Sequence, residues 1–336
     1  RTSEDEPIFR RNEDDPLDED VIMVDESSMI DIYLMESLLR ATRPTARLIL
    51  IGDASQLPPV GPGCVFKDII ASDRYNTVEL KHIFRQAMES LIVTNAHAVN
   101  DGEHIDLTKK DGDFFFLPRE TDELTAQTVV DLCRKRLPKS YGLSVFDGIQ
   151  VITPSKKGAL GTEALCMALQ SAINPPSNSK KELKRRTSVL REGDKVMQVK
   201  NNYSITWKKS DGGEGTGVFN GDIGVIVKIS HSEEKIIVDY DGRTVEYDFT
   251  AAEELELAYA ITVHKSQGSE YPIVVIPLFR YTPKLLTRNL LYTAITRARD
   301  MVVLVGDGEV ADMMVDNNRQ AKRYTGLEYF LTRFDD

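Results

Sequence analysis

In the stretch "VIMVDESSM" an apolar run, Val21–Val24, ends in two adjacent carboxylates, Asp25 and Glu26. In α/β sheets ligands bind beyond the C-terminal ends of strands, and a carboxylate pair placed there suits a nucleotide. Asp25 can hold Mg²⁺, directly or through water, and the ion neutralises phosphate charge. Glu26 can orient and deprotonate the attacking water. A solvated acidic turn has the same letters, so the pair needs support from elsewhere. The second apolar run, in "LILIGDASQLPPVGPG", supplies it by placing Asp53 and Gln56 just past its end. A glutamine there can bond a γ-phosphate oxygen or its attacking water, and so sense whether that phosphate is present.

Cations follow. "ELKHIFRQ" holds Arg85, and "LLYTAITRARDMVVLVG" holds Arg297 and Arg299. Single arginines are ordinarily surface residues, but two that reach a γ-phosphate would act as arginine fingers. "AITVHKSQGSEYPIVVI" sets Thr262, His264, Lys265, Ser266 and Gln267 before an apolar strand, and all five can contact phosphates. No metal-ligand spacing accompanies His264.

These residues need a scaffold, and 336 residues are enough for two or three domains. No apolar run approaches the ~20 residues of a membrane span, and the acidic, polar N-terminus shows no signal peptide. Three widely spaced cysteines, Cys64, Cys133 and Cys166, suggest neither a metal site nor a disulfide framework, so a reducing cytoplasm is expected. The net charge of −11 disfavours non-specific nucleic-acid binding, but it is uneven. Residues 1–20 hold nine acids and three arginines, whereas residues 180–200 hold eight bases and three acids. An acidic average can therefore hide a basic groove.

Residues 1–20 form an acidic segment with little to bury. Val21–Val24 and Leu48–Ile51 suit buried parallel strands. A helix is expected over Ile30–Arg40, a third strand over Thr77–Leu80, and a helix over Ser90–Asn100 that stops at Asn100-Asp101-Gly102. A second α/β unit follows, with a strand at Gly148–Thr153. Leu165, Ala168, Leu169, Ala172 and Ile173 then mark one helix face. Between about 191 and 252 short strand-like runs, with Asp241-Gly242 as a tight hairpin, predict a small antiparallel barrel. Within it "SDGGEGTG" (Ser210–Gly217) reads as a mobile loop. From Leu255 the α/β pattern resumes with a helix, then a strand at Ile273–Pro277, a helix at Asn289–Ala298 and a strand at Met301–Val305.

Taken in order, "DESSM", "GDASQLPPVGPG", "LKHIFRQA", "TVHKSQGSE" and "YTAITRAR" resemble superfamily 1 helicases. "TPSKKGALGTEALCMALQSAINPPS" and the inserted barrel resemble the RecD-like branch, which includes exodeoxyribonuclease V alpha subunits. The resemblance runs from about Phe9 to near the end of the chain. It implies two RecA-like P-loop NTPase lobes with ATP between them, and 5′-to-3′ movement on single-stranded DNA with duplex unwinding ahead. Carried onto this sequence, Asp25 and Glu26 become the Mg²⁺ and water pair, Gln56 the γ-phosphate sensor, and Arg85 and Arg297 the two fingers. Asp53, Gly268 and Glu270 would contact the nucleotide, Glu270 at its ribose. Pro154, Ser155, Lys156 and Lys157 of the "TPSKKG" turn would contact the DNA backbone. Thr262 and His264 would lie in the segment that couples DNA to the ATP site, Lys265 and Gln267 would bind DNA with them, and the SH3-like barrel would cover the DNA. The implied layout is an acidic segment 1–20, a first lobe 21–84, a second lobe 85–190 and 255–336, and a barrel insertion 191–254. Single-stranded DNA and single–double-strand junctions would be the partners, and ATP and Mg²⁺ the cofactors. The resemblance leaves RecB- and RecC-like subunits an open question.

One family element is missing: G-x-x-x-x-G-K-[ST] does not occur in the 336 residues. The expectation is a C-terminal helicase portion whose first lobe is partial, with the phosphate-binding segment supplied from elsewhere and this portion alone inactive. Val21, Met23, Leu48 and Leu50 would then lack apolar cover. Two alternatives stand beside the motor: a non-catalytic DNA-binding module with a relic ATP site, and an RNA helicase of the same superfamily.

Overall fold

The computed structural model describes residues 9–80, 89–109, 112–280, 283–319 and 325–333. The chain divides into two units, one of residues 1–85 with 318–336 and one of residues 86–317.

In the first unit, β1 (Val21–Val24) and β2 (Arg47–Leu50) pair in parallel, Met23 opposite Ile49. Between them lies helix α1 (Ile32–Ala41), whose N-cap Asp31 accepts a hydrogen bond from the Leu34 amide at 2.8 Å. α2 (Val65–Ala71) follows. Ile30, Met35 and Val65 form the core, backed by Val24, Leu50 and Ile69. Leu327 of the helix Leu327–Arg333 joins this core. This described helix, which the sequence pattern grouped with the second lobe, thus packs on the first unit's core. The strands alternate in burial, contrary to the expectation of full burial. Only one face of the pair is covered, and the register leaves Val21, Met23 and Ile49 exposed while Leu48 and Leu50 are half-buried. Among the described residues Thr77–Leu80 pairs with no strand, and Val78 and Leu80 face solvent.

The second unit opens with α3 (Leu91–Asp101), capped by the Ser90 hydroxyl and ended by Gly102 at φ 85°. β3 (Phe114–Pro118) and α4 (Asp122–Asp131) follow, and a π-helical turn leads into α5 (Leu137–Tyr141). Next come β4 (Ile149–Thr153) and α6 (Thr162–Ile173). A short hairpin, β5 (Glu182–Lys184) with β6 (Val189–Arg191), leads to the inserted strands. These are β7 (Lys195–Gln198), β8 (Asn202–Lys209), β9 (Glu214–Val218), β10 (Ile223–Ser230), β11 (Lys235–Tyr240) and β12 (Arg243–Asp248). With β13 (Leu255–Leu257) they make one antiparallel sheet, order β13-β7-β10-β11-β12-β8-β9, around its own core of Val196, Ile226, Ile236, Val238 and Tyr247. Asp241 and Gly242, at φ 51° and 80°, form the two-residue hairpin between β11 and β12.

Two expectations fail here. Leu255–Leu257 is a strand, not a helix, because its backbone pairs with Val196–Gln198 of β7. The glycine-rich segment is half strand: Glu214–Val218 pairs with β8, and Gly215 lies against the Trp207 ring, where a Cβ would sit at 2.4 Å.

Beyond the insertion come β14 (Ala260–Thr262), β15 (Tyr271–Leu278), α7 (Arg288–Ile295), β16 (Ala298–Gly306) and α8 (Gly308–Asp316). A fully parallel sheet, order β14-β4-β15-β16-β3, forms the unit's centre. Its core includes Val151, Leu165, Leu169, Val275 and Val303. Among the described residues no helix is long and apolar enough to cross a membrane.

Candidate functional site

In the first unit the ends of β1 and β2 are stitched together. Ile51 donates its amide to Val24 O, and Ser27 donates to Ile51 O, both at 2.8 Å. Gly52 passes so close to this turn that a Cβ would lie 3.0 Å from the Ser27 nitrogen and 3.1 Å from that of Ser28. Both expected motifs therefore meet at one edge. Glu26 adopts a left-handed backbone, φ 50° and ψ 39°, which is uncommon for a residue with a side chain. It launches the 3-10 turn Ser27–Met29. The Asp25 carboxylate accepts from the Glu26 amide at 2.8 Å and is exposed at the strand end. One exposed carboxylate suits Mg²⁺, which keeps several waters and takes few protein ligands. Among the described residues no cluster of three or more metal-ligating side chains forms. In the β2 loop the Asp53 carboxylate accepts from the Ser55 amide at 2.8 Å and from Gln56 Nε2 at 3.4 Å.

Arg297 follows α7 at the start of the second unit's strand β16, on the chain leaving the helix. It is 5% exposed. Its Nη1 donates to Ser269 O at 3.2 Å and its Nη2 to Thr296 Oγ1 at 3.4 Å, while Nε is buried without a partner. Among the described residues no carboxylate meets this guanidinium. Arg299 differs: it lies exposed and paired with Asp300 at 2.9 Å. Glu270 and Gly268 sit on the exposed turn ahead of β15, Gly268 at φ 72°. Arg85 lies outside the described residues.

The proposed DNA residues occupy two adjacent strand ends. β4 and β14 are neighbours, with Thr153 opposite Thr262, so the loop Pro154–Lys157 and the turn after Thr262 emerge side by side. Thr262 caps the 3-10 turn Val263–Ser266 by accepting from the Lys265 amide. Ser155, buried, braces the first loop: its hydroxyl accepts from the Lys157 amide at 3.1 Å. At Gly161 a Cβ would be 2.5 Å from the carbonyl oxygens of Lys156 and Lys157, so the loop folds tightly on the start of α6. Lys156 reaches Glu256 at 3.1 Å, with both side chains exposed. Burial holds the Lys265 ammonium below the usual lysine range; Glu256 opposes this and Lys156 adds to it. His264 is exposed and Gln267 half-buried.

The sequence reading expected the barrel to cover the DNA but named none of its residues. Lys265 Nζ bonds Asn220 Oδ1, on the turn between β9 and β10. Beside Asn220, Phe219 meets Tyr203 edge to face at 5.5 Å. Tyr203 is 70% exposed and Phe219 42%. Sixteen residues separate the two rings; the pairing of Asn202 with Val218 brings them together. Only two solitary aromatics in a strand pattern signal this in the sequence.

Parallel sheet, strand-end motifs and inserted barrel together define a class, the helicases built from RecA-like lobes. Residues 9–114 match the family of AAA domains, 165–240 the SH3 domain of ATP-dependent RecD-like DNA helicases, and 257–305 the C-terminal domain of UvrD-like helicases. The chain belongs to the RecD-like helicase family. It is 33% identical over 327 residues to the ATP-dependent RecD2 DNA helicase of Deinococcus radiodurans, covering 95% of this chain and 41% of that one. With the RecBCD enzyme subunit RecD of Mycolicibacterium smegmatis it shares 30% identity over 336 residues, covering 95% and 55%. The chain thus spans about half the length of the curated relatives it matches. A Pif1 helicase from Bacteroides, solved with ADP-AlF3 and single-stranded DNA, shares the fold at a TM-score of 0.54 and 19% identity, covering 93% of this chain and 77% of that one.

Proposed function

We propose that this chain supplies the nucleotide-sensing and DNA-coupling parts of an ATP-dependent helicase that moves 5′ to 3′ on single-stranded DNA and opens duplex ahead of it. The observation that carries the reading is Arg297, a buried guanidinium whose Nε is unpaired and against which no carboxylate of the described residues lies. Buried charges are ordinarily paired, and breaking a buried pair is costly. A transferring γ-phosphate is the anion such a group would serve. ATP would be the substrate, and Mg²⁺, held by Asp25, would supply charge neutralisation of its phosphates. Glu26 would hold and deprotonate the attacking water, and Gln56 would sense the γ-phosphate through its amide. Arg297 and Arg85 would stabilise the charge that develops, while Asp53, Gly268 and Glu270 would position the nucleotide.

In this reading the single strand runs along the β4 and β14 ends. Lys156, Lys157, His264, Lys265 and Gln267 take its phosphates, and Pro154, Ser155 and Thr262 shape the two turns. Tyr203 and Phe219 suit base stacking, which tolerates any sequence because every base has a π face. The 5′-to-3′ direction, the DNA partner and the lobe boundaries at 84 and 85 are taken from the family. Lacking G-x-x-x-x-G-K-[ST], the isolated chain is expected to bind DNA without turning over ATP.

Titration of a fluorescent single-stranded oligonucleotide at several salt concentrations tests the DNA face. The expected log affinity falls with log salt at roughly 0.7 per phosphate contact. Salt-independent affinity, or none, would overturn it.

A further inference from the structure

Among the described residues of the first unit two buried side-chain atoms lack a hydrogen-bond partner, Ser28 Oγ and Gln56 Oε1. Both residues line one cleft, walled by Pro58, Pro59 and Phe66, with about 20 Å³ of room. That volume is enough for one water, and a water there needs at least two polar partners. Ser28 is 8% exposed. Its neighbour Ser27 spends its hydroxyl on Val24 O at 2.8 Å, closing the turn after the carboxylate pair. The Ser28 hydroxyl does nothing for that turn.

The Gln56 amide can be oriented from its surroundings. Asp53 offers only acceptors, so the NH₂ group must be the end that faces it, through the long 3.4 Å contact of Nε2 with Oδ2. That contact alone is weak. The carbonyl end then points into the cleft, and it needs a donor. Ser28 carries a hydroxyl that can rotate to donate.

We infer that Ser28 is a positioning residue for Gln56: its hydroxyl, through one water in this cleft, holds the amide oxygen inward. One Nε2 hydrogen then goes to Asp53, and the other is free to meet a γ-phosphate. The strand ends of β1 and β2 are thereby coupled by a side-chain link as well as by backbone. This rests on the reading of Gln56 as the γ-phosphate sensor. It adds a residue to that site and a reason for the second serine of "DESSM".

A double-mutant cycle in the full-length protein tests it, read by single-stranded-DNA-stimulated ATP turnover. Ser28→Ala should lower kcat roughly tenfold, within the range of coupled neighbours, with little change in KM. In a Gln56→Ala background the same substitution should change nothing further. A crystal structure of the protein at water-resolving resolution should show a water between Ser28 Oγ and Gln56 Oε1, lost in Ser28→Ala. Wild-type kcat in Ser28→Ala, an undiminished loss in the Gln56→Ala background, or a cleft without that water would overturn the link. If Gln56→Ala itself leaves turnover intact, the sensor reading fails and takes the link with it. A Gln56→Ala loss without a Ser28→Ala loss removes Ser28 alone.

Discussion

The two parallel sheets differ in a way their sequences conceal. "VIMV" in β1 and "IQVIT" in β4 are both short and apolar. Every residue of β4 is buried, between β14 and β15 and beneath α6. In β1, Met23 is 68% exposed, because among the described residues β1 and β2 have only each other as strand partners and one covered face. A run of apolar residues therefore states what a strand can bury. Neighbours decide what it does bury. The candidate residues follow the same division: in the first unit they sit on turns at the end of a lightly covered sheet, and in the second they rise from a packed one.

The largest expected effect lies in chemistry, on the packed side. Arg297→Ala in the full-length protein should cut ATP turnover by roughly 10³–10⁵, as loss of an arginine finger does. DNA affinity should stay near wild type. Arg85→Ala should behave alike, and the two losses should not add, since both act on one transition state. Less than a tenfold loss, measured by steady-state ATPase, would remove Arg297 from the role and level the two units.

Hydrogen exchange probes the sheets directly. Amides of Val21–Val24 should exchange orders of magnitude faster than those of Ile149–Thr153 and Val302–Val305, because local openings scale with what covers a segment. Equal protection would erase the contrast. Core substitutions sharpen it in stability terms. Leu165→Ala, fully buried against the parallel sheet, should cost about 2–5 kcal/mol in chemical denaturation. Met23→Ala should change stability by no more than about 0.5 kcal/mol.

How much of this could be read beforehand depends on the range of the interaction that decides each element. Local signals carried well: Ser90 caps α3, Gly102 stops it, and Asp241-Gly242 turns with both φ angles positive. The strand-end carboxylates and Gln56 lie where the motif order put them. Long-range pairing did not carry. Leu255–Leu257 is extended because β7 lies beside it, 57 residues or more upstream. Glu214–Val218 is strand because it pairs with β8, with Gly215 leaving room for the Trp207 ring. Leu327 returns to a core formed near the other end of the chain. The orphaned Ser28 hydroxyl is invisible in sequence, since "SS" does not say which serine closes the turn.

A pH-dependent effect concerns the root of the barrel. Lys195 Nζ donates to Gln150 Oε1 at 2.8 Å and to Val145 O. Burial pushes its ammonium down to about 8, against about 10.4 for a free lysine. Between those values the unfolded chain binds more protons than the folded one, so this group makes stability rise with pH. Above pH about 10 the buried tyrosines Tyr240, Tyr247 and Tyr259, whose hydroxyls burial pushes up, work in the opposite direction. From pH about 9 the buried thiols of Cys133 and Cys166, pushed up to about 12, work against it as well, but they are common to wild type and Lys195→Met and cancel in their difference over the window pH 8 to about 10. Across it the stability of wild type relative to Lys195→Met should climb; a flat difference would mean that Lys195 stays charged inside.

Hydrolysis at the Asp25–Glu26 edge is the centre of the account, and one assay reaches it: single-stranded-DNA-stimulated ATP turnover by the full-length protein, wild type against Glu26→Gln. The expected result is robust stimulated turnover in wild type and a loss of roughly 10²–10⁴ in the variant, the range for removal of a general base, with single-stranded DNA still bound. Turnover in Glu26→Gln within tenfold of wild type, or no stimulated turnover in wild type, would contradict it.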